Sequence, residues 1–361
     1  MSKRISVVLS QGQSQNPEKR KLEEDLVAAM LMEQGVDVTV IPHLYDLKPD
    51  STGMLALQNI GGDMVVLSWL YPRAARWILD RNGIRGQEGV TLLKGLGEDD
   101  DESLDDELED ESTDDKERVI DTRPLPPRKI YCLDLRTHSS IGVFVEEIRR
   151  IVRENSTPLV QIAGWPSGQP ANGRPSSGPT INSPMDAGEA ASTSAPPAGV
   201  PPQIVRIEEP AGRRWYPVID YSRCTNCMEC IDFCLFGVYG VDNADTILVE
   251  QPDNCRKGCP ACSRVCPENA IIFPQHKTPA IAGAPVEIGG LKIDLSVLFG
   301  APEKKESAVE AAIRERDEQL ILAGRNAVGA SQGLRKRQEG KPAEPRDNLD
   351  DLLDELDSLD L

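Results

Sequence analysis

Eight of the nine cysteines in the chain lie between Cys224 and Cys266. The first run has the pattern C-x2-C-x2-C-x3-C and consists of Cys224, Cys227, Cys230 and Cys234. The second run has the pattern C-x3-C-x2-C-x3-C-P and consists of Cys255, Cys259, Cys262 and Cys266, followed by Pro267. So dense a group of thiols predicts a site that binds metal through sulfur, the preferred ligand of soft metal centres.

The spacing of the first run is typical of loops that present thiolates to a [4Fe–4S] cluster. Three sulfurs at i, i+3 and i+6 surround one side of a cluster, and the fourth cysteine is directed to a neighbouring cluster. Two such runs that exchange their last cysteines hold two clusters. Structural zinc is one alternative, but it commonly uses paired C-x2-C motifs separated by a longer loop. Disulfides are another, and they require an oxidising compartment.

The residues around both runs resemble bacterial-type ferredoxins that carry two [4Fe–4S] clusters. The resemblance covers Pro217 to Pro274, and it includes the strand before the first run, the hairpin at 237–249 and the closing turn from Cys266 to Ile271. It implies a small α+β domain. It also implies ligand sets that cross between the runs: Cys224, Cys227, Cys230 and Cys266 for the first cluster, and Cys255, Cys259, Cys262 and Cys234 for the second.

Two positions depart from the family pattern. Leu235 stands where the family usually has proline after the fourth cysteine, which removes a constraint on φ. Cys255 and Cys259 are separated by three residues instead of two, and Gly258 could accommodate the extra residue by adopting a positive φ. If Cys255 cannot reach its cluster, the second site would hold a three-iron cluster or an iron with a non-cysteine ligand.

Before the cysteines, short apolar runs alternate with segments of helical periodicity. Strands are predicted over Ile5 to Leu9, Val36 to Ile41, Met64 to Leu67 and Ile130 to Leu135, and helices from Pro17, from Pro72 to Leu79 and from Ile141 to Val152. This alternation predicts an α/β domain with a parallel sheet, layered as in flavodoxin or Rossmann folds.

The chain is therefore predicted to be multidomain. The predicted units are an α/β domain over 1–155, a Pro-, Ser- and Gly-rich linker over 156–203, a two-cluster ferredoxin-like domain over 204–300, a helix over 301–325 and a disordered tail over 326–361. An acidic run from Glu98 to Glu117 predicts a disordered insertion at about 97–127 in the first domain. A cation-binding loop is the alternative, but the run lacks the glycine and regular spacing of a calcium loop.

The tail ends in an acidic segment with leucines on one helical stripe. These leucines are Leu349, Leu352, Leu353 and Leu356. One interpretation is a frayed end. The other is that the segment from Leu349 to Leu359 folds in the apolar groove of a partner.

Charge and composition restrict the partners. A formal net charge of −19 argues against nucleic acid and anionic membranes, and it favours a redox partner with a basic docking patch. No apolar stretch approaches the roughly 18 residues of a membrane-spanning helix, and the run from Ile5 to Leu9 is too short for a signal peptide. With its many cysteines and no export signal, the chain is predicted to be cytoplasmic.

Other residues could bind ligands in the α/β domain. His43 and His138 each follow a predicted strand, at the sheet edge where open α/β sheets bind ligands, although surface-loop histidines are the simpler interpretation. The loop from Ser10 to Asn16 is similar in layout to the first loop of flavodoxins, which implies a flavin phosphate site, or it is a polar turn. His276 is predicted to be exposed, and Cys132 to be a buried core residue.

These observations predict an iron–sulfur protein that relays single electrons through two [4Fe–4S] clusters. An electron carrier needs no substrate chemistry, so enzyme activity is not required. One alternative is a redox enzyme whose N-terminal domain binds a flavin or another substrate and receives electrons from the clusters. A second alternative is a scaffold protein in which the clusters are structural.

Overall fold

A computed structural model describes residues 4–93, 116–155, 204–210, 212–285 and 307–331 of the chain. Three predicted segments lie wholly or mostly outside these ranges: the acidic run from Glu98 to Glu117, the linker over 156–203, and the tail with its segment from Leu349 to Leu359. They remain predictions.

A six-stranded sheet forms the centre of the first part of the chain, and all its neighbouring strands are parallel. Its strands are β1 (Ile5–Ser10), β2 (Val36–Ile41), β3 (Met64–Ser68), β4 (Gln87–Glu88), β5 (Lys129–Asp134) and β6 (Ile204–Arg206). Their order across the sheet is β4-β5-β3-β1-β2-β6. The central strand β3 is buried at every position, as expected of a sheet covered on both faces. The predicted parallel α/β sheet is confirmed.

Helices cover both faces of this sheet. They are α1 (Pro17–Leu31), α2 (Thr52–Gln58), α3 (Pro72–Arg81), α4 (Val119–Thr122) and α5 (Ile141–Asn155). Helices α1 and α5 contribute to the apolar core on one face, and α2 and α3 to the core on the other. The predicted helix starts at Pro17 and Pro72 are confirmed. Proline suits this position because the first turn of a helix loses no backbone hydrogen bond there. None of the helices in the described ranges is long and apolar enough to cross a membrane.

Two segments differ from the predicted layout. Residues 204–206, predicted to begin the ferredoxin-like domain, form β6 and pair with β2 of the sheet. Residues 116–127, predicted to end the disordered insertion, include α4, whose Val119 is only 6% exposed. The Val119 amide donates a hydrogen bond to the Cys224 carbonyl at 2.9 Å. The end of the predicted insertion therefore contacts the cysteine-bearing segment.

The cysteine-bearing segment consists of short elements. They are β7 (Val218–Ile219), α6 (Glu229–Phe233), β8 (Tyr239–Val241), β9 (Ile247–Val249), α7 (Ala261–Val265), β10 (Ile271–Ile272) and α8 (Pro279–Ala282). The predicted hairpin is confirmed, with β8 antiparallel to β9. A longer helix, α9 (Ala308–Leu322), lies within the predicted helix over 301–325. Ser307 and Glu310 form a capping box at its start.

The cysteine-bearing segment and the sheet share one apolar core. The core on the α3 face includes residues of both, among them Trp77, Tyr216 and Ile272. The rings of Tyr45 and Tyr216 stack with their centroids 4.3 Å apart. The Tyr45 hydroxyl donates to the Tyr216 carbonyl at 2.5 Å and accepts from the Tyr216 amide at 2.7 Å. One buried side chain thus satisfies both backbone groups of Tyr216.

We predict that Tyr45→Phe lowers the free energy of unfolding by about 1–3 kcal/mol, because it leaves the buried N–H and C=O of Tyr216 without this partner. The measurement is chemical denaturation of the anaerobically purified protein. Tyr71→Phe is the matched control, since the Tyr71 ring is partly buried and no hydrogen bond of its hydroxyl is seen among the described residues. Equal midpoints for wild type and Tyr45→Phe would contradict the prediction.

Candidate metal centre

Two short strands bring the beginning and the end of the cysteine segment together. In the antiparallel ladder between β7 and β10, Ile219 lies opposite Ile271. The Asp220 amide extends this ladder with a hydrogen bond of 2.8 Å to the Ala270 carbonyl. Because Cys224 follows β7 and Cys266 precedes β10, the pairing places these two cysteines at the same end of the ladder.

Three thiols at this end lie close enough to Cys230 to influence its ionisation: Cys224, Cys227 and Cys266. Burial raises the pKa of Cys230, and negative charge on the other three raises it further. Burial likewise raises the pKa of Cys224 to about 11, and Cys266 and Cys227 contribute. The structure therefore brings together the set predicted for the first cluster, and we call it the first thiol set.

The other four thiols form a second thiol set: Cys234, Cys255, Cys259 and Cys262. Burial raises the pKa of Cys262, and charge on the other three raises it further. Burial is also the main cause of the raised pKa of Cys255, followed by Cys259 and Cys234. Cys234 caps α6 and Cys262 lies in α7, so the packing of α6 against α7 joins thiols from different runs.

Left-handed backbone shapes both cysteine loops. Gly258 has a φ of +88°, as predicted for the extra residue before Cys259. A Cβ added at Gly258 would meet no other described atom within 4 Å, so conformation and not space favours glycine there. In the first run, Asn226 and Met228 have φ values of 57° and 66°. Cys255 follows a short 3₁₀ helix, Pro252–Asn254, which positions it in the second thiol set.

Hydrogen-bond donors are directed at sulfur in both sets. The Asn226 amide lies 3.4 Å from the Cys224 sulfur, and the Ala270 amide lies 3.2 Å from the Cys266 sulfur. In the second set, the hydroxyl of Tyr239 is 3.1 Å from the Cys262 sulfur. Such donors stabilise negative charge on sulfur. Tyr239 was not among the predicted site residues, although it lies in the predicted hairpin between the two cysteine runs; it is only 7% exposed.

The donor set fits iron–sulfur ligation. All nine cysteines are free thiols, which is inconsistent with a disulfide framework. A [4Fe–4S] cluster needs one thiolate for each iron, and each thiol set supplies four. Within the described residues, no three His, Cys, Asp or Glu side chains converge as ligands of a single metal ion do. The assignment of individual cysteines as ligands remains a prediction.

Helix α9 covers the second thiol set. Its Ala312 packs with Phe233 and Cys259 in a small apolar cluster. Its Arg316 is only 1% exposed, and the guanidinium lies 4.5 Å from the Phe233 ring centroid. Burial raises the pKa of Cys234 and Cys259, and the charge of Arg316 opposes that shift. The buried cation makes the surroundings of the second set different from those of the first.

Arg316 was not among the residues predicted to lie near the thiols. Its spacing from Ala312 and Leu320 at i−4 and i+4 places all three on one helix face, and all three are buried. That periodicity is the signal in the sequence that could have identified Arg316.

Leu235 is the other departure from the family pattern. Its carbonyl accepts a hydrogen bond of 2.8 Å from Arg325, just beyond α9.

The three histidines and Cys132, which the sequence singled out, lie outside the two thiol sets. His43 is 8% exposed, so its interpretation as a surface histidine is wrong. His138 is half-buried with its ring edge-on to Phe144. His276 is also half-buried, which corrects the predicted exposure, because it lies against Trp215 and accepts a hydrogen bond from the Thr278 amide. Cys132 is buried in β5 as predicted, and burial raises its pKa to about 12.

Comparison with known proteins gives two partial matches in Methanocaldococcus jannaschii. An uncharacterized ferredoxin is 53% identical over 66 residues, which are 18% of this chain and 44% of that protein. The pyruvate synthase subunit PorD is 36% identical over 59 residues, which are 16% of this chain and 66% of that protein. The chain thus spans less than half of the first relative and about two thirds of the second.

These matches support a ferredoxin-type domain in this chain. Each covers less than a fifth of its length. No family model matches the chain. No solved structure matches it either.

Proposed function

We propose that this protein is an iron–sulfur electron carrier that relays single electrons through two [4Fe–4S] clusters. The observation that carries the proposal is the division of eight cysteine thiols into two sets of four, each combining three cysteines of one run with the last of the other. Bound clusters would supply reversible one-electron chemistry at sulfur-ligated iron. The similarity to a ferredoxin and to PorD supports the same chemistry.

The residues around each set would adjust its chemistry. Amides near Cys224 and Cys266 stabilise negative charge on the first set. The second set has a tyrosine hydroxyl at Cys262 and the buried cation Arg316 beside Cys234 and Cys259. Hydrogen bonds, charge and burial all influence cluster potentials. The two clusters are therefore proposed to have different potentials.

A partner redox protein is part of the proposal. PorD is a subunit of pyruvate synthase, and similarity to it supports association of this chain with a larger redox enzyme. A net charge of −19 would favour a partner with a basic docking patch and raise the rate of encounter. A cytoplasmic location is proposed because reducing compartments keep thiol ligands free.

We predict that anaerobically purified protein contains about eight irons and about eight sulfides per chain, since each of two clusters has four of each. Low-temperature EPR of the dithionite-reduced protein should show two interacting cluster signals. About four irons with one signal would contradict the two-cluster relay. Zinc without sulfide would contradict the iron–sulfur function altogether.

We predict that Tyr239→Phe lowers the reduction potential of one cluster by up to roughly 60 mV, because loss of the donor to Cys262 destabilises the more negative reduced state. The measurement is an EPR-monitored redox titration. Tyr131→Phe is the control, because the Tyr131 hydroxyl accepts a hydrogen bond from Asn155, and both residues lie outside the cysteine-bearing segment. Identical potentials in Tyr239→Phe and wild type would show that the hydroxyl does not influence the cluster.

A further inference from the structure

An arginine of helix α3 lies against the cysteine-bearing segment beside the first thiol set. Arg73 is the second residue of α3, and its side chain is 13% exposed. The first turn of a helix carries partial positive charge, so a cation there is unfavourable for the helix itself. The first turn of α3 contains no acidic residue that would offset this charge. Contacts outside α3 must therefore compensate the cation.

One such contact is with the segment that leads to Cys224. The Arg73 Nε donates to Oδ2 of Asp220 at 2.5 Å. Asp220 is only 1% exposed, and its carbonyl accepts a hydrogen bond of 2.9 Å from the Cys224 amide. The ion pair thus holds the residue to which the Cys224 backbone is bonded.

The same guanidinium contacts the segment that follows Cys266. Its Nη2 donates to the carbonyl of Asn269. Asn269 has a φ of 48°, in the left-handed region that few residues other than glycine adopt. The next residue, Ala270, directs its amide at the Cys266 sulfur, 3.2 Å away. One side chain therefore bonds both of the segments that meet at the first thiol set.

Other groups around Asp220 belong to the turn that carries Cys224. The Ser222 amide donates to Oδ1 of Asp220 at 2.9 Å, and the Arg223 Nε lies 3.8 Å from Oδ2. Because both residues are part of this turn, their contacts do not connect it to the sheet. Arg73 comes from α3 and does connect it.

A backbone contact holds the same turn from another side. The Val119 amide of α4 donates to the Cys224 carbonyl at 2.9 Å. Removal of the Arg73 guanidinium would leave this contact and the ladder between β7 and β10 in place. The expected consequence is a loosened cluster site within a folded chain.

We propose that Arg73 is a positioning residue for the first cluster, because its guanidinium holds the Cys224 and Cys266 segments in the arrangement that binds it. The inference rests on the proposed function, since it concerns a cluster bound by the first thiol set. It also makes α3 part of the cluster site, although the ferredoxin resemblance covers only Pro217 to Pro274. Arginine suits this role because its planar fork presents several donors in a fixed geometry.

The ion pair also controls charge beside the cluster. Burial is the largest cause of the raised pKa of Cys224, and negative charge on Asp220 contributes to it. Asp220 is therefore close enough for its charge to act on this thiol. Arg73 compensates that charge. Without Arg73, the carboxylate would oppose the additional electron of the reduced cluster, since local charge influences cluster potentials.

The test compares wild type, Arg73→Gln and Arg73→Lys as full chains purified anaerobically. Low-temperature EPR assigns the first cluster as the signal that is missing from Cys224→Ala/Cys266→Ala. During incubation with EDTA, Arg73→Gln should lose this signal about tenfold faster than wild type, because the buried Asp220 charge is left unpaired. The signal of the second cluster should decay at the wild-type rate.

A redox titration separates positioning from a general effect on the fold. At the wild-type midpoint, Arg73→Gln should have about a tenfold lower ratio of reduced to oxidised first cluster, which corresponds to about 59 mV. Arg73→Lys keeps the charge, so its midpoint should lie closer to that of wild type. Lysine lacks the planar fork, so its first signal should still decay about threefold faster than that of wild type.

Arg81→Gln is the matched control, because it removes the same charge from the last turn of the same helix. The Arg81 guanidinium lies over the Tyr216 ring, 4.9 Å from its centroid. The inference is overturned if Arg73→Lys loses the first signal at the wild-type rate or if Arg73→Gln keeps the wild-type midpoint. It is also overturned if Arg81→Gln accelerates loss of the first signal equally. Wild type without cluster signals would instead contradict the proposed function.

Discussion

Seven thiols of the two sets have a raised pKa, so their surroundings oppose the ionised form, although metal ligation requires thiolate. Burial is the largest cause of the raised pKa of Cys224, Cys230, Cys255 and Cys262. A cluster can hold these sulfurs as thiolates because its iron supplies the compensating positive charge. The proposed clusters would therefore stabilise the fold around them as well as transfer electrons, because ligand deprotonation, metal binding and folding are linked.

The surrounding structure maintains this burial from several directions. On one side, the sheet contributes α3 and Tyr45 to a core shared with Tyr216. On another, α9 covers Cys259 and brings Arg316 close to Cys234. A third contact joins Val119 of α4 to the Cys224 carbonyl. Elements far apart in sequence thus enclose the two thiol sets, and the unequal cover explains why the sets should differ chemically.

Sequence patterns predicted the parts of the structure that depend on local periodicity and spacing. Apolar runs predict the strands β1, β2, β3 and β5. The one extra residue before Cys259 predicts the positive φ of Gly258. The three residues of β6 are too few to show a period, and their pairing with β2 spans a long sequence separation. The burial of His43 was also missed, because it depends on distant packing and not on neighbours in sequence. The same holds for the Tyr45–Tyr216 pair, whose members are 171 residues apart.

The central claim is that each cluster combines cysteines from both runs, and iron content of double variants tests it most directly. Cys224→Ala/Cys266→Ala removes two members of one proposed set, so about four irons should remain. Cys262→Ala/Cys266→Ala removes one member of each set, so few irons should remain. The reverse pattern, with about four irons retained only in Cys262→Ala/Cys266→Ala, would mean that each run binds its own cluster and would contradict the account.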